Sequence, residues 1–373
     1  LTTSPGAERL TFLSERVLEA FETRVPLRIR GGDTKLFLAG LEDGPVLDMR
    51  SYAGIVDYAP SELVVTARAG TPLAELERAL ADRGQGLPFE PPRFADERGA
   101  LVGTVGGMVA AGLAGPARPS AGGVRDHVLG ALMINGRGEP LRFGGEVMKN
   151  VAGYDVARLL AGSWGALGAI CEVSLKVLPM PQSALTLRFD LAQEAALEQL
   201  HAWAGQPLPL TASVWWRDTL AVRLRGARAA VAAAARRLGG ETIPPELAAA
   251  FWDGLRDQRD DFFAEARHAV EAGHRALWRL SLPATTPPLP DFDDTLIEWG
   301  GAQRWVVAAP DDARVPELAA RAGGSALRVL GGLPGRGAYS PSRLAPTLAD
   351  VHRRLRESFD PAGIFVPGRP IAL

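Results

Sequence analysis

The chain has 373 residues, 47% apolar and 23% charged, the composition of a folded protein long enough for two domains. Lys+Arg number 41 and Asp+Glu 43, leaving a formal charge of −2, too weak a field to hold a nucleic-acid backbone. A single cysteine, Cys171, excludes a disulfide framework and a four-thiolate iron–sulfur cluster within this chain, and it favours a reducing, intracellular compartment.

The opening "LTTSPGAERLTFL" has no basic stretch ahead of an apolar one, so no secretory leader is expected. Leu10, Leu13, Val17 and Phe21 then fall on one helical stripe. Leu27–Arg30 reads as a strand running into the glycine turn of "RIRGGDTK", and "LVVTARAG" (63–70) as another strand. "TPLAELERALADRG" is a helix with Thr71 as its cap, Pro72 in its first turn, a stripe of Leu73, Leu76 and Leu80, and Gly84 as its stop. From Gly99 to Ala117 the chain carries no charge. That run approaches the length of a membrane span, but its six glycines and Pro116 give it little hydrophobic drive, and no transmembrane segment is expected. "HVLGALMINGRGEPLRF" predicts a hairpin turning at Asn135–Gly138. "CEVSLKV" alternates, which places Cys171, Val173, Leu175 and Val177 on one face of a strand. "LPMPQ" then breaks the chain near 178–182.

Seven of the eight tryptophans follow position 200. The second half alternates strands and helices in a β-α-β-β-α order and continues with "RALWRLSLP", "DTLIEWG" and "QRWVVAAP" as strands, a pattern that predicts a compact α+β unit on an antiparallel sheet. "GGLPGRGAYSPS" (331–342) reads as a linker, followed by a final helix and "DPAGIFVPGRP".

Glycine lets a backbone approach a ligand, and successive N–H groups in such turns cradle anions. Two segments have this character, "RIRGGDT" (28–34) and "GTVGGM" (103–108). Neither is a Walker A loop, which ends in Lys and Ser/Thr, nor a G-x-G-x-x-G dinucleotide fingerprint. A single Gly-Gly is more often just a tight turn.

Taken in order, "RIRGGDTK", "LVGTVGGMVAAGLAGPARPSAGGVRDHVLGA" and "AGYDVARLLAGSWGALGAICEVSLKVLP" resemble the PCMH-type FAD-binding domain of the vanillyl-alcohol-oxidase superfamily. With "LVVTARAGTPLAELE", "LPFEPPRF", "RFGGEVMKNVAGYD" and the closing "FDPAGIFVPGR", nearly the whole chain is similar to the FAD-binding subunits of bacterial glycolate oxidase. The resemblance implies an α+β fold. A two-subdomain FAD-binding domain spans 1–180, an α+β cap with an antiparallel sheet 181–335, and a returning C-terminal segment 336–373. It implies that Gly31, Gly32, Asp33 and Thr34 meet the FAD pyrophosphate, and that Gly103, Thr104, Gly106 and Gly107 line the pyrophosphate and the flavin edge. Gly112 would let the chain pass the ring, Val128 would contact the adenine half, and Gly165, Gly168 and Ile170 would enclose that region. Arg369 would set a positive charge beside the flavin. Superfamily members that attach the flavin covalently commonly carry His where this chain has Asp33, so noncovalent FAD is expected. Cys171, on an apolar strand face, reads as a core thiol.

Related 2-hydroxy-acid dehydrogenases bind a metal through a His-x-His pair on the cap. None of His127, His201, His268, His274 and His352 forms one, and the spacing of His268 and His274 turns them to different helix faces. No metal site and no catalytic residue is assigned. The resemblance therefore implies a division of labour. This chain would support assembly or electron transfer in a glycolate-oxidising complex, with catalysis on a larger homologous flavin subunit and electrons leaving through an iron–sulfur subunit. It would be cytoplasmic, associated with the inner membrane only through those partners. The competing readings are a self-sufficient FAD-dependent oxidoreductase for another small 2-hydroxy acid and a scaffold that has lost its flavin.

Overall fold

The computed structural model describes residues 5–38, 44–96, 98–145, 154–289, 292, 294–332 and 345–366. The first half runs α1 (Pro5–Thr23), β1 (Leu27–Arg30), β2 (Val46–Asp48), β3 (Ile55–Ala59), β4 (Val64–Arg68), α2 (Leu73–Ala81), β5 (Gln85–Gly86), α3 (Val105–Ala111), α4 (Arg118–Ala121), α5 (Val124–His127), β6 (Val128–Ile134), β7 (Pro140–Gly144), α6 (Val156–Leu159), β8 (Ala169–Lys176) and β9 (Leu178–Pro179). Strands β3, β4, β8, β6 and β7 form an antiparallel five-stranded sheet in that order, and β5 pairs with β9. Leu73, Leu76 and Leu80 of α2 and Val105, Met108 and Val109 of α3 pack on one face of the sheet, with Val65, Val173 and Leu175. Leu13, Val17 and Ala20 of α1 bury against Leu27, Leu47, Leu132, Ile134 and Cys171 in a separate cluster. The expected α1 stripe, β1 and the β6–β7 hairpin are all present.

Three local expectations are corrected. Thr71 does not cap α2; Pro72 holds that position, and the Thr71 hydroxyl accepts the Gly54 N–H at 2.9 Å while lying 2.7 Å from the Arg68 carbonyl, a turn bond that competes with capping. His127 ends α5 instead of opening the strand, with Nε2 2.8 Å from the Ala121 carbonyl. Cys171 does not share a face with Val173. The pairing of β6 with β8 jumps from Leu132↔Glu172 to Met133↔Ile170, a bulge at Cys171 that turns the thiol toward α1. Glu172 and Ser174 of β8 are buried too, because the strand is central. Ser174 Oγ meets Thr66 Oγ1 at 2.8 Å, and Glu172 accepts from Tyr52 Oη at 2.8 Å and Arg142 Nη2 at 2.9 Å.

The second half runs β10 (Ser183–Asp190), α7 (Gln193–Ala204), β11 (Leu210–Trp216), β12 (Thr219–Gly226), α8 (Arg228–Leu238), β13 (Glu241–Ile243), α9 (Pro245–Arg256), α10 (Asp261–Glu271), β14 (Ala276–Ser281), β15 (Thr295–Glu298), β16 (Gln303–Ala308), α11 (Arg314–Arg321) and β17 (Ser325–Leu330). All eight strands form one antiparallel sheet, ordered β13-β10-β12-β11-β15-β16-β14-β17. Trp203, Trp215, Trp252, Trp278 and Trp305 are buried, so tryptophan here is mainly core. Most of the segment read as a linker lies outside the described residues. After it, α12 (Pro346–Phe359) leads to β18 (Phe365–Val366), which pairs in parallel with β1 to complete the sheet β18-β1-β2.

The large sheet is fastened to the first half by charge. Glu90 accepts from Arg223 Nη2 at 2.8 Å to each oxygen, from Arg225 Nη1 at 2.6 Å and from the Ala117 N–H at 3.0 Å. Asp257 accepts the Arg93 N–H at 2.9 Å, and Trp299 donates to the Gly115 carbonyl at 3.1 Å. Leu38 inserts beside Trp252, Phe262 and Trp305. The loop that leaves β1 is thereby wedged between the two halves.

Candidate functional site

Strand β1 pairs with β2 up to its last residue, Arg30 against Asp48, and the chain turns sharply through Gly31–Leu38. Asp33 adopts a left-handed conformation (φ 54°), which Asp tolerates better than most residues. The turn closes with Leu36 N–H to the Asp33 carbonyl at 3.4 Å and Leu38 N–H to the Lys35 carbonyl at 3.0 Å. The N–H groups of Gly32, Asp33 and Thr34 have no acceptor among the described residues. Arg30 Nε lies 2.7 Å and Arg28 Nη1 4.0 Å from the Asp33 carboxylate, which offsets its charge.

The second glycine segment is different. Thr104 caps α3, its hydroxyl accepting the Gly107 N–H at 3.2 Å. The Val105 N–H goes to the Thr71 carbonyl at 2.9 Å and the Gly106 N–H to the Ala69 carbonyl at 2.8 Å. Three of the donors expected to cradle an anion are therefore consumed within the chain; those of Gly103 and Thr104 are not.

The two segments press together. A Cβ on Gly32 would lie 1.8 Å from the Val102 carbonyl oxygen, so only glycine fits there. Gly112 is the left-handed C-cap of α3 (φ 62°), and a Cβ there would lie 2.8 Å from Gly162 Cα. There it ends the helix against a neighbouring backbone.

Between these segments and β8 lies a cleft with about 870 Å³ of atom-free space, including its open mouth. Gly31, Gly32, Asp33, Thr34, Thr104, Gly106, Gly107, Gly165, Gly168 and Ile170 line it, all named from the sequence. Gly103 and Gly112 do not, and Val128 is 1% exposed and packed in the core. Arg369 and most of "RFGGEVMKNVAGYD" lie outside the described residues.

The sequence reading missed Ile29, Lys35, Leu36, Met49, Ala69, Ala110, Ala111, Trp164 and Val366, which complete the wall. Ile29, Met49, Ala69, Ala110, Ala111 and Val366 come from the ends of β1, β2, β4, α3 and β18, Leu36 and Trp164 come from turns, and no local pattern brings these together. Lys35 was legible as a cation directly following "RGGDT". Burial lowers its pKa to about 8.

The arrangement suits a ligand with an anionic bridge between two flat rings. Unpaired N–H donors of Gly32–Thr34 are available to the bridge, while Ile29, Met49, Ala69, Ile170 and Val366 offer apolar walls to the rings. The residues present fit FAD.

Residues 12–144 match the family model described as an FAD binding domain. Across 360 residues the chain is 44% identical to glycolate oxidase subunit GlcE of Escherichia coli (strain K12), covering 96% of this chain and 97% of that one. The chain belongs to the GlcE family. Family membership carries an FAD-binding domain and an oxidoreductase setting. Glycolate oxidase subunit GlcD of Bacillus subtilis (strain 168) is 31% identical over 205 residues, 54% of this chain and 42% of that one. An alkyldihydroxyacetonephosphate synthase structure superposes with a TM-score of 0.63 at 15% identity, over 95% of this chain and 75% of that one, a likeness of fold.

The remaining candidates do not line the cleft. Cys171 is fully buried, and burial pushes its thiol to about 12. His201 Nε2 lies 2.9 Å from the Ala284 carbonyl, and His268, His274 and His352 are exposed. Among the described residues no group of three His, Cys, Asp or Glu side chains is placed to hold a metal, and no helix is long and apolar enough to cross a membrane.

Proposed function

We propose that this chain is the FAD-binding subunit of a multi-subunit enzyme that oxidises glycolate to glyoxylate. End-to-end similarity to glycolate oxidase subunit GlcE carries the reading. The cleft supports it, since the donors and walls suit a flavin dinucleotide. FAD, when bound, supplies a redox centre able to take up and pass on electrons. This chain's own residues bind and orient it: the Gly32–Thr34 amides hold the bridge, and Ile170 and Met49 exclude water from the rings. Cys171 is buried away and Asp33 is engaged by Arg30 and Arg28, which supports noncovalent binding.

A larger flavin subunit carries substrate oxidation, and an iron–sulfur subunit passes the electrons on. Partial similarity to GlcD is consistent with two related flavin chains in one assembly. We divide the chain at 180 and 335. Strands up to Pro179 belong to the smaller sheets, Ser183–Leu330 supplies the eight-stranded sheet, and β18 returns to β1. The complex is cytoplasmic, and any association with the inner membrane runs through the partners.

The test is to purify the chain alone and with its partners, then assay glycolate-dependent reduction of a dye. Turnover only in the complex, with yellow colour released by acid denaturation, is expected. Rapid turnover by the isolated chain would establish a self-sufficient oxidoreductase, and absence of flavin from the native chain would establish a scaffold.

A further inference from the structure

Among the described residues, two charged side chains line the cleft, Asp33 and Lys35. Asp33 is committed to Arg30 and Arg28. Lys35 forms no ion pair among the described residues. Its ammonium lies 5.8 Å from the centre of the Phe94 ring, which in turn meets Phe37 edge-on at 5.1 Å. Leu36, next in the chain, also faces the cleft.

A lysine ammonium normally stays in water or beside a carboxylate. Lys35 is half-buried in the wall of the open cleft, and burial there lowers its pKa to about 8. One aromatic face replaces only part of the lost hydration. Within the same turn, the N–H groups of Gly32, Asp33 and Thr34 point to no acceptor among the described residues. A half-buried cation and three open amides of one turn, all lining the same cleft, together form a donor set for an anion with several oxygens.

We propose that Lys35 is the counter-cation for the diphosphate bridge of the bound flavin dinucleotide. The inference rests on the FAD reading above and goes beyond it by naming the charge partner. The bridge carries two negative charges, and the amides supply only partial positive charge. Oxidised isoalloxazine is neutral and gives an ammonium much less. Arg28 and Arg30, the nearest arginines along the chain, already face Asp33. Lys35 is thus the cation of the turn left to meet the bridge.

The experiment uses the full-length chain stripped of flavin and titrated by calorimetry with FAD and with ADP-ribose, which shares the diphosphate but lacks isoalloxazine. Lys35→Met is expected to weaken both ligands by the same factor, about 10- to 100-fold, the range for a hydrogen bond to a charged group. Lys35→Arg should restore most of the affinity, and the midpoint potential of the bound flavin should stay near the wild-type value. Should Lys35→Met fail to fold by circular dichroism, Lys35→Gln takes its place. Unchanged affinity for both ligands overturns the proposal. So does a loss for FAD without one for ADP-ribose, or a large shift in potential alone, because the ammonium would then serve the ring. In either case the FAD reading survives. Failure of the wild-type chain to bind FAD at all removes both.

Discussion

Replacing Glu90 with Gln should loosen the cap from the FAD-binding half. The side chain leaves a left-handed residue (φ 49°) after β5 and crosses to β12. There Arg223 is 3% exposed, its guanidinium 4.9 Å from the centre of the Trp252 ring and 2.8 Å from both Glu90 oxygens. Gln keeps the size and one acceptor for the Ala117 N–H, but it leaves two arginines facing each other without a counter-charge. Removing one member of a buried pair costs about 3–5 kcal/mol. The side chains of Arg225 and Glu90 are 33% and 13% exposed, so water relieves part of this. We expect about 3 kcal/mol. Unfolding entropy of about 2.1 cal/mol/K per residue makes that a fall of roughly 4 °C in Tm for a chain of this length. Urea unfolding of wild type, Glu90→Gln, Arg223→Met and the double variant measures the coupling, which should exceed about 1.5 kcal/mol. Single costs that simply add, within about 0.5 kcal/mol, would refute the clamp.

Three further outcomes follow from the same geometry. Glu298 is 4% exposed and accepts from Gln303 Nε2 at 2.8 Å and Trp305 Nε1 at 2.7 Å, while burial raises its pKa from 4.5 to about 7. Because the folded state holds this proton more tightly, the carboxylate costs nothing below about pH 4.5, destabilises increasingly up to about pH 7, and levels off above that. Glu298→Gln should leave the urea midpoint unchanged at pH 4.5 and raise stability at pH 8 by on the order of 2–3 kcal/mol; equal midpoints at pH 8 would sink the assignment. Gly32→Ala places a Cβ against the Val102 carbonyl, so the two glycine segments must part. The variant should lose about 1–3 kcal/mol and release its flavin on gel filtration, whereas retention of full visible absorbance would contradict the packing. Cys171 should resist thiol reagents in the native protein at pH 8 and react at once in urea; fast native labelling would place the thiol at the surface.

Much of the fold was legible because it is written in local periods. The α1 stripe, the α2 leucines, the β6–β7 hairpin and the antiparallel strands of the cap all announce themselves within a dozen residues. Parallel pairing of β18 with β1 does not, since its two strands lie at opposite ends of the chain. Nor does the Cys171 bulge, which breaks the alternation that predicts its face. Glu90 and Arg223 are 133 residues apart, and nothing around either one names the other.

The glycines pose a harder problem, because one residue type answers two different demands. A missing Cβ at Gly32 permits contact between two loops, whereas the neighbouring free amides are what a ligand can use. At Gly106 the same absence brings α3 against Ala69 and consumes the amide in a bond to the Ala69 carbonyl. From sequence both are simply glycine in a run. What separates them is where each N–H points, and that is fixed by the distant chain it meets. An anion site is therefore sought by its unsatisfied donors and a cation in the same turn, a pair that the turn carrying Lys35 offers and that the start of α3, with its Val105, Gly106 and Gly107 amides engaged within the chain, offers less.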